Sequence, residues 1–331
     1  MGGDNGAQVV LPAAKNALNK HDNLHLILVG KEEVIHAGIK RYNIDAKRVT
    51  VQHASEEVAM DERPSLALRN KKDSSMRVAI NCVKEGLADA CVSAGNTGAL
   101  MATAKFVLKT LPGVDRPAII SALPTTDPDK FVYMLDLGAN IDATPEQLFQ
   151  FAVMGSVVAE SVENIENPTI GLLNIGEEEI KGNLQVKETA ELLSQVKEIN
   201  YFGYVEGDDI FRGKVDVVVC DGFVGNIALK TSEGLAKMLL GQIRQAFFAN
   251  TFSKICAFFA MPVLRRIKHE LDPARYNGAS FIGLQGTVIK SHGGTNVRGF
   301  GHAIDEAIIE VERDVPSKIR HKVSLLLEEI I

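Results

Sequence analysis

Val215-Asp216-Val217-Val218-Val219-Cys220-Asp221-Gly222-Phe223-Val224-Gly225-Asn226 passes from an apolar, β-branched run into a glycine-bearing turn, and a helical pattern over 227–248 follows directly. An apolar run without polar alternation suits a strand covered on both faces. A Gly/Asn turn that opens a helix completes one unit of strand, loop and helix. Outward from it, further strands are expected at 24–29, 49–53, 90–93, 118–123, 131–137, 169–175 and 201–205, and at 279–289 with a break at Gly283. Helical patterns fall between them at 8–19, 75–85, 98–108, 145–162 and 184–196, with a last one over 301–330 interrupted at Pro316. This alternation predicts βαβ units, hence an α/β fold of three αβα layers with a mostly parallel sheet. No internal repeat, low-complexity tract or Pro/Gly-rich linker divides the chain, so 1–331 reads as a single α/β domain with a helical lobe inserted at about 242–274.

Composition narrows the function. Hydrophobic residues make up 46% and charged residues 24%, enough for a core without disulfides. Trp is absent and aromatics are only 6%, so that core is expected to be aliphatic. A net charge of -6 argues against a nucleic-acid partner, which needs a positive field over much of the surface. Cys82, Cys91, Cys220 and Cys256 form no CxxC pair and no zinc spacing, and read as buried free thiols in a reducing cytosol. No signal-peptide pattern occurs, and no apolar run reaches the ~18 residues of a spanning helix. The expected location is therefore cytoplasmic.

Four strand ends share the plan of the opening stretch: Ala94-Gly95-Asn96-Thr97-Gly98, Gly138-Ala139-Asn140, Gly176 to Gly182, and Asp221 to Asn226. In open parallel sheets such loops gather at the carboxyl edge, where ligands bind, and all four are expected there. Helix N-termini carry free N–H groups and partial positive charge, which suits phosphate. Glycine lets the backbone approach an anion, and Asn supplies an uncharged donor. Taken singly, each turn also reads as ordinary punctuation. Gly2-Gly3-Asp4-Asn5-Gly6 is a fifth such turn, but it opens the chain where a βαβ unit places a strand. Either the sequence starts late at this point, or a neighbouring segment fills that place.

Lys181 follows three glutamates, Glu177 to Glu179, at an expected helix start. A cation at the positive end of a helix dipole is a mild conflict, and it suggests an anion nearby. Cys220 ends an apolar strand and reads as a buried thiol rather than a nucleophile. His292 and His302 read as structural. The sequence has no GxxxxGK[ST] loop, no GxGxxG after the first strand and no GxSxG elbow.

Residues 246–268 are the most apolar helical stretch and hold five of the 14 Phe, with Arg265, Arg266, Lys268 and Arg275 at or after its end. Apolar residues beside cations suit an anionic bilayer or an acidic carrier protein, and also a dimer interface. Pro262 is expected to kink the helix or split it into two short pieces meeting at a tip.

Met1-Gly2-Gly3-Asp4, Ser93-Ala94-Gly95-Asn96-Thr97-Gly98-Ala99, Asp136-Leu137-Gly138-Ala139-Asn140, Asn174-Ile175-Gly176-Glu177-Glu178, Cys220 to Asn226 and Gly293-Gly294 resemble the bacterial phosphate acyltransferases, in matching order along essentially the whole chain. That resemblance implies a fold similar to the isocitrate and isopropylmalate dehydrogenases and to phosphotransacetylase. It implies transfer of a long-chain fatty acyl group from acyl carrier protein to inorganic phosphate. The acyl phosphate feeds phospholipid synthesis through an acyl-phosphate-dependent glycerol-3-phosphate acyltransferase. It further implies a homodimer, peripheral membrane association and no cofactor or metal. Lys181 and Asn226 carry over as catalytic. Asp4, Gly95, Asn96, Thr97, Gly98, Asn140 and Gly225 are assigned to substrate or phosphate binding. Phe252, Phe258, Phe259, Arg265, Arg266 and Lys268 are assigned to membrane or carrier contact. Three other readings stand beside this one: a short-chain phosphotransacetylase using acyl-CoA, a metal- and NAD-dependent decarboxylating dehydrogenase, and a non-enzymatic membrane-surface scaffold. The apolar stretch argues against the first, and the lack of clustered metal-binding aspartates against the second.

Overall fold

The computed structural model describes residues 2–270 and 272–330, with the backbone alone for 267–270, 273, 275 and 327–330. Among these residues the strands are β1 (Leu26–Gly30), β2 (Val49–His53), β3 (Ala90–Ser93), β4 (Ala118–Pro124), β5 (Phe131–Leu135), β6 (Ile170–Leu173), β7 (Tyr201–Val205), β8 (Val217–Val219), β9 (Ala279–Ile282) and β10 (Thr287–Lys290). The helices are α1 (Ala7–Lys20), α2 (Glu32–Tyr42), α3 (Pro64–Asn70), α4 (Ser75–Lys84), α5 (Thr97–Leu108) and α6 (Pro145–Glu163). They continue with α7 (Leu184–Gln195), α8 (Asp209–Arg212), α9 (Gly222–Phe248), α10 (Thr251–Glu270), α11 (Val297–Glu312) and α12 (Val315–Ile330).

Local chemistry sets many of the boundaries. Thr144 and Gln147 form a reciprocal capping box at α6, with Pro145 in its first turn. Asn96, Asn183, Asp221 and Asn296 cap α5, α7, α9 and α11 with their side chains. The interruption expected at Pro316 falls just before it: α11 ends at Glu312, Asp314 turns left-handed at φ 50°, and Pro316 sits in the first turn of α12. The expected 279–289 strand is two antiparallel strands, because the chain reverses after Gly283 at φ 84°. Helix α2 was not among the expected helices; Ile35, Ile39 and Tyr42 line one side of it and pack with Leu11, Leu18 and Leu28.

Eight strands form one sheet in the order β3-β10-β9-β4-β5-β8-β6-β7, and β1 and β2 pair separately in parallel. Parallel pairings predominate, as expected, but β9 runs antiparallel to both β10 and β4, and β5 antiparallel to β4. The polarity therefore reverses across the sheet. β3 and β10 point one way, and β5, β8, β6 and β7 point the other. This corrects the expectation that the four Gly/Asn loops share one carboxyl edge. The loop after β3 opens on one edge, and those after β5, β6 and β8 on the opposite one.

Helices cover both faces. Ile120, Leu135, Val217 and Val219 pack with Phe151 and Met154 of α6 and with Ile319 and Val323 of α12. Their neighbours Ile119, Met134 and Val218 turn to the other face, toward Ile80 of α4 and Leu100 of α5. That period of two makes the αβα layering. The largest fully buried side chains are Leu, Ile and Met with only Phe151 and Phe281 among the aromatics, so the core is aliphatic as expected.

The apolar stretch lies in α10, which turns back from α9 through 119°. Pro262 does not split it, contrary to expectation. The helix runs through that residue, and the break falls at Ala249-Asn250, where the Asn250 side chain accepts a hydrogen bond from Ser253 N at 2.8 Å. No single described helix is long and apolar enough to cross a membrane, although α9 with Thr251–Arg266 passes that test as a bent pair.

Candidate active site

Adjacent parallel strands β5, β8 and β6 deliver three of the Gly/Asn loops side by side. The loop after β5 is organised by Asp136, which is fully buried. Its Oδ1 accepts from Ile119 N at 3.0 Å, Gly138 N at 3.1 Å and Ala139 N at 2.9 Å. Its Oδ2 accepts from Asn140 N at 2.7 Å and Asn140 Nδ2 at 2.9 Å. Burial pushes this carboxyl above its ordinary range, and the amide donors pull against that shift.

The first turn of α9 seats directly on this loop. Gly222 N donates to Asn140 O at 2.8 Å. A β-carbon on Gly225 would stand 1.9 Å from Asp136 O, and one on Gly222 2.5 Å from Asn140 O, so only glycine permits the approach. Gly225 thus serves as a contact point between helix and loop. Asn226 follows, exposed, beside Gly138. Its amide has no hydrogen-bond partner among the described residues. In the third loop, Lys181 Nζ lies 2.7 Å from Glu178 Oε2 and is 43% exposed. The Glu178 hydrogen bond raises the pKa of Lys181. Helix α7 begins only at Leu184, capped by Asn183. Lys181 is therefore in the preceding loop and already paired, which removes the helix-dipole conflict read from the sequence.

A second set of loops lies at the ends of β3 and β10. Asp4 N donates to Gly293 O at 3.0 Å, and the Asn5 side chain to Thr295 O at 3.1 Å. Gly2 packs against Gly95: a β-carbon there would be 3.2 Å from Gly95 Cα. Gly95 is buried; Asp4, Thr97 and Gly98 are exposed.

Helix α9 links the two sets. Asn226, Lys230, Glu233 and Lys237 recur at helical spacing on one side of it, over about three turns. Lys230 pairs with Glu233 at 3.0 Å. Lys230 is also close enough to Lys290 and His292 to lower the pKa of both, behind burial as the leading cause, and Lys290 falls to about 8. Asp4 is the opposing charge on Lys290. One face of α9 thus borders the Asp136 loop near its start and the His292 loop further along.

Two expected ligands are engaged by the protein itself. Asn96 Nδ2 donates to Met60 O at 2.8 Å and Glu62 O at 3.0 Å while its Oδ1 caps α5. Asn140 Nδ2 holds Pro117 O at 2.8 Å as well as Asp136. Both stabilise loop shape. Asp136, Lys230 and Lys290 were missed as site residues. The available signals were a charged residue ending an apolar strand, for Asp136 and Lys290, and the helical spacing from Asn226, for Lys230. Cys220 is buried, and its thiol pKa is pushed well up by burial and then by Asp136, so it is inert as read. In α10, Phe252, Phe258 and Phe259 are 76%, 73% and 77% exposed, with Arg265 and Arg266 also exposed; the Lys268 side chain lies outside the described residues.

A family model described as fatty acid synthesis protein matches residues 1–318. A phosphate acyltransferase from Legionella pneumophila (strain Paris) is 57% identical over 325 residues, covering 98% of this chain and 94% of the relative. One from Coxiella burnetii (strain RSA 331 / Henzerling II) is 56% identical over 331 residues, covering 99% and 96%. Among solved structures, a phosphotransacetylase from Streptococcus pyogenes superposes with a TM-score of 0.63 at 18% identity, covering 94% of this chain and 92% of that one, and so shares the fold. The chain belongs to the fatty acid synthesis protein family, that of the bacterial phosphate acyltransferases.

Proposed function

We propose that this protein is an acyltransferase that moves a long-chain fatty acyl group from acyl carrier protein to inorganic phosphate, giving acyl phosphate for phospholipid synthesis. The observation that carries this reading is the 57% identity to a phosphate acyltransferase over 98% of the chain. A phosphate oxygen attacks the thioester carbonyl carbon. The carbonyl becomes a tetrahedral oxyanion, the C–S bond breaks, and the carrier thiolate leaves and is protonated from solvent.

Two anions meet in that step, the phosphate and the developing oxyanion. The unpartnered amide of Asn226, beside the N-terminus of α9, is suited to hold the oxyanion. One such donor typically supplies about 2.7–4 kcal/mol of transition-state stabilisation. Lys181, half-exposed and paired with Glu178, is suited to swing onto the phosphate. Asp4, Gly95, Thr97 and Gly98 are proposed to shape the substrate side, with Asn96, Asn140 and Gly225 fixing the loops.

The finer architecture, similar to the isocitrate and isopropylmalate dehydrogenases with a helical lobe at about 242–274, belongs to the same reading. So do a homodimer, a cytoplasmic protein peripherally bound to membrane through Phe252, Phe258, Phe259, Arg265, Arg266 and Lys268, and delivery to a glycerol-3-phosphate acyltransferase. Three exposed phenylalanines next to arginines support the membrane contact. The test compares donors. Palmitoyl-carrier thioester should turn over with phosphate far faster than acetyl-CoA; the reverse order would replace this reading with a short-chain phosphotransacetylase.

A further inference from the structure

Away from these loops, a cavity of about 200 Å3 lies where β4, β5 and β9 meet α6 and α11. Glu306 and Glu310 of α11 and Glu163 of α6 line it, with Tyr133 and Ser280 on the sheet. Glu310 and Ser280 are only 2% and 3% exposed; they face each other closely enough for the Ser280 hydroxyl to lower the Glu310 pKa, yet Glu310 Oε1 and Ser280 Oγ form no hydrogen bond of normal geometry among the described residues. Burying polar atoms this way is unfavourable unless a partner meets them. Phe131 and Tyr276 close one wall, their rings 5.9 Å apart and inclined at 62°.

We propose that this cavity binds a small organic ammonium, with Glu310 and Glu306 as its counter-ions and Tyr133, Phe131 and Tyr276 as its aromatic walls. Carboxylates beside aromatic faces suit a nitrogen cation carried on carbon. A bare metal ion fits less well: no three His, Cys, Asp or Glu among the described residues are grouped to hold one. Among the described residues, no Lys or Arg forms an ion pair with Glu306 or Glu310. A cavity of about 200 Å3 has room for a small organic molecule and not only for a single water.

The surrounding charges agree. Glu163 accepts from Tyr133 Oη at 3.0 Å. Asp305, also at the cavity, already faces Lys20 and His21, and His302 stands 4.0 Å from it. Burial holds Glu306 up at about 7 and Glu310 at about 8, each raised further by neighbouring carboxylates. Near neutral pH these two carboxyls hold protons. An ammonium entering the cavity must release them, so affinity rises with pH until the amine itself deprotonates near 10.4, as lysine does.

The experiment is calorimetry on the full chain with 1,5-diaminopentane, with tetramethylammonium, and with neutral 1,5-pentanediol, at pH 8 and pH 6. At least one cation should bind saturably with proton release, at least tenfold more weakly at pH 6, and the diol should give no saturable heat. Glu310→Gln copies the protonated side chain, so it should keep its fold and its acyl transfer but bind at least tenfold more weakly. Ser280→Ala is the second variant and should also weaken binding. No saturable heat with either cation, equal heat with the diol, or unchanged affinity in Glu310→Gln would overturn the proposal. So would a Glu310→Gln protein that changes its sedimentation while neither cation binds, because the occupant would then be a side chain of a second copy.

Discussion

Asn226 stands against Gly138: a β-carbon on Gly138 would lie 3.4 Å from Asn226 Cβ and 3.6 Å from its Oδ1. The contact fixes where the free amide of Asn226 points relative to the Asp136 loop. Asn226→Ala should lower kcat about 10²–10³-fold, the usual loss of one oxyanion donor. Stability should stay within about 0.5 kcal/mol, because the side chain is exposed and unbonded. Steady-state kinetics paired with urea unfolding checks both; an unchanged kcat removes Asn226 from the chemistry.

The glycines of α9 divide sharply. At Gly225 an added methyl would meet the Asp136 carbonyl at 1.9 Å, whereas at Gly234 nothing lies within 4 Å. Gly225→Ala is expected to cost at least about 2 kcal/mol, since backbone and not a flexible side chain must yield. Gly234→Ala is expected to gain up to about 1 kcal/mol from helix propensity. Thermal unfolding of the two variants tests the docking of α9; similar effects would mean that its first turn does not sit on the loop.

Stability should fall as pH rises through neutrality. Glu306 and Glu310 are held at about 7 and about 8 against an ordinary 4.5, so the folded protein keeps protons that the unfolded chain has released. The slope is negative from about 4.5 to about 8, and at most about 1.4 kcal/mol per pH unit for each group. Lys290, lowered to about 8, adds the opposite slope only above that pH. Urea titrations at pH 5.5, 6.5 and 7.5 should show Glu310→Gln flattening the dependence. Parallel curves for wild type and variant would contradict the burial of Glu310.

Phe258 and Phe259 stack edge to face at 5.6 Å and both face outward. Their double replacement by Asp should abolish flotation with anionic vesicles while leaving transfer from a soluble carrier intact. Persistent flotation would place the membrane contact elsewhere.

The opening stretch from Val215 to Asn226 was legible because each level of its sequence agrees: apolar strand, Asp221 cap, glycines where backbones touch. Sheet polarity was not. Residues 279–289 read as one run although the chain reverses after Gly283, and the pairing of β4 with β5, which turns the sheet's polarity and divides the loops between two edges, leaves no mark in either strand's apolar pattern. Asn96 and Asn140 looked like ligands because Asn in a Gly-rich turn serves binding and capping alike, and only the hydrogen bonds separate the two. Lys290 escaped notice because burial, which makes its amine unusual, is a tertiary property. The carboxylate cavity was invisible for the same reason: Tyr133, Glu163, Ser280 and Glu310 meet from four separate elements.

Acyl transfer to phosphate is read out by incubating purified protein with palmitoyl-carrier thioester and phosphate, then trapping product with hydroxylamine. Palmitoyl hydroxamate should form in proportion to thioester lost, only when phosphate is present, with nearly none from Asn226→Ala or Lys181→Ala. Thioester loss that ignores phosphate, or no hydroxamate from the wild type, would contradict that transfer.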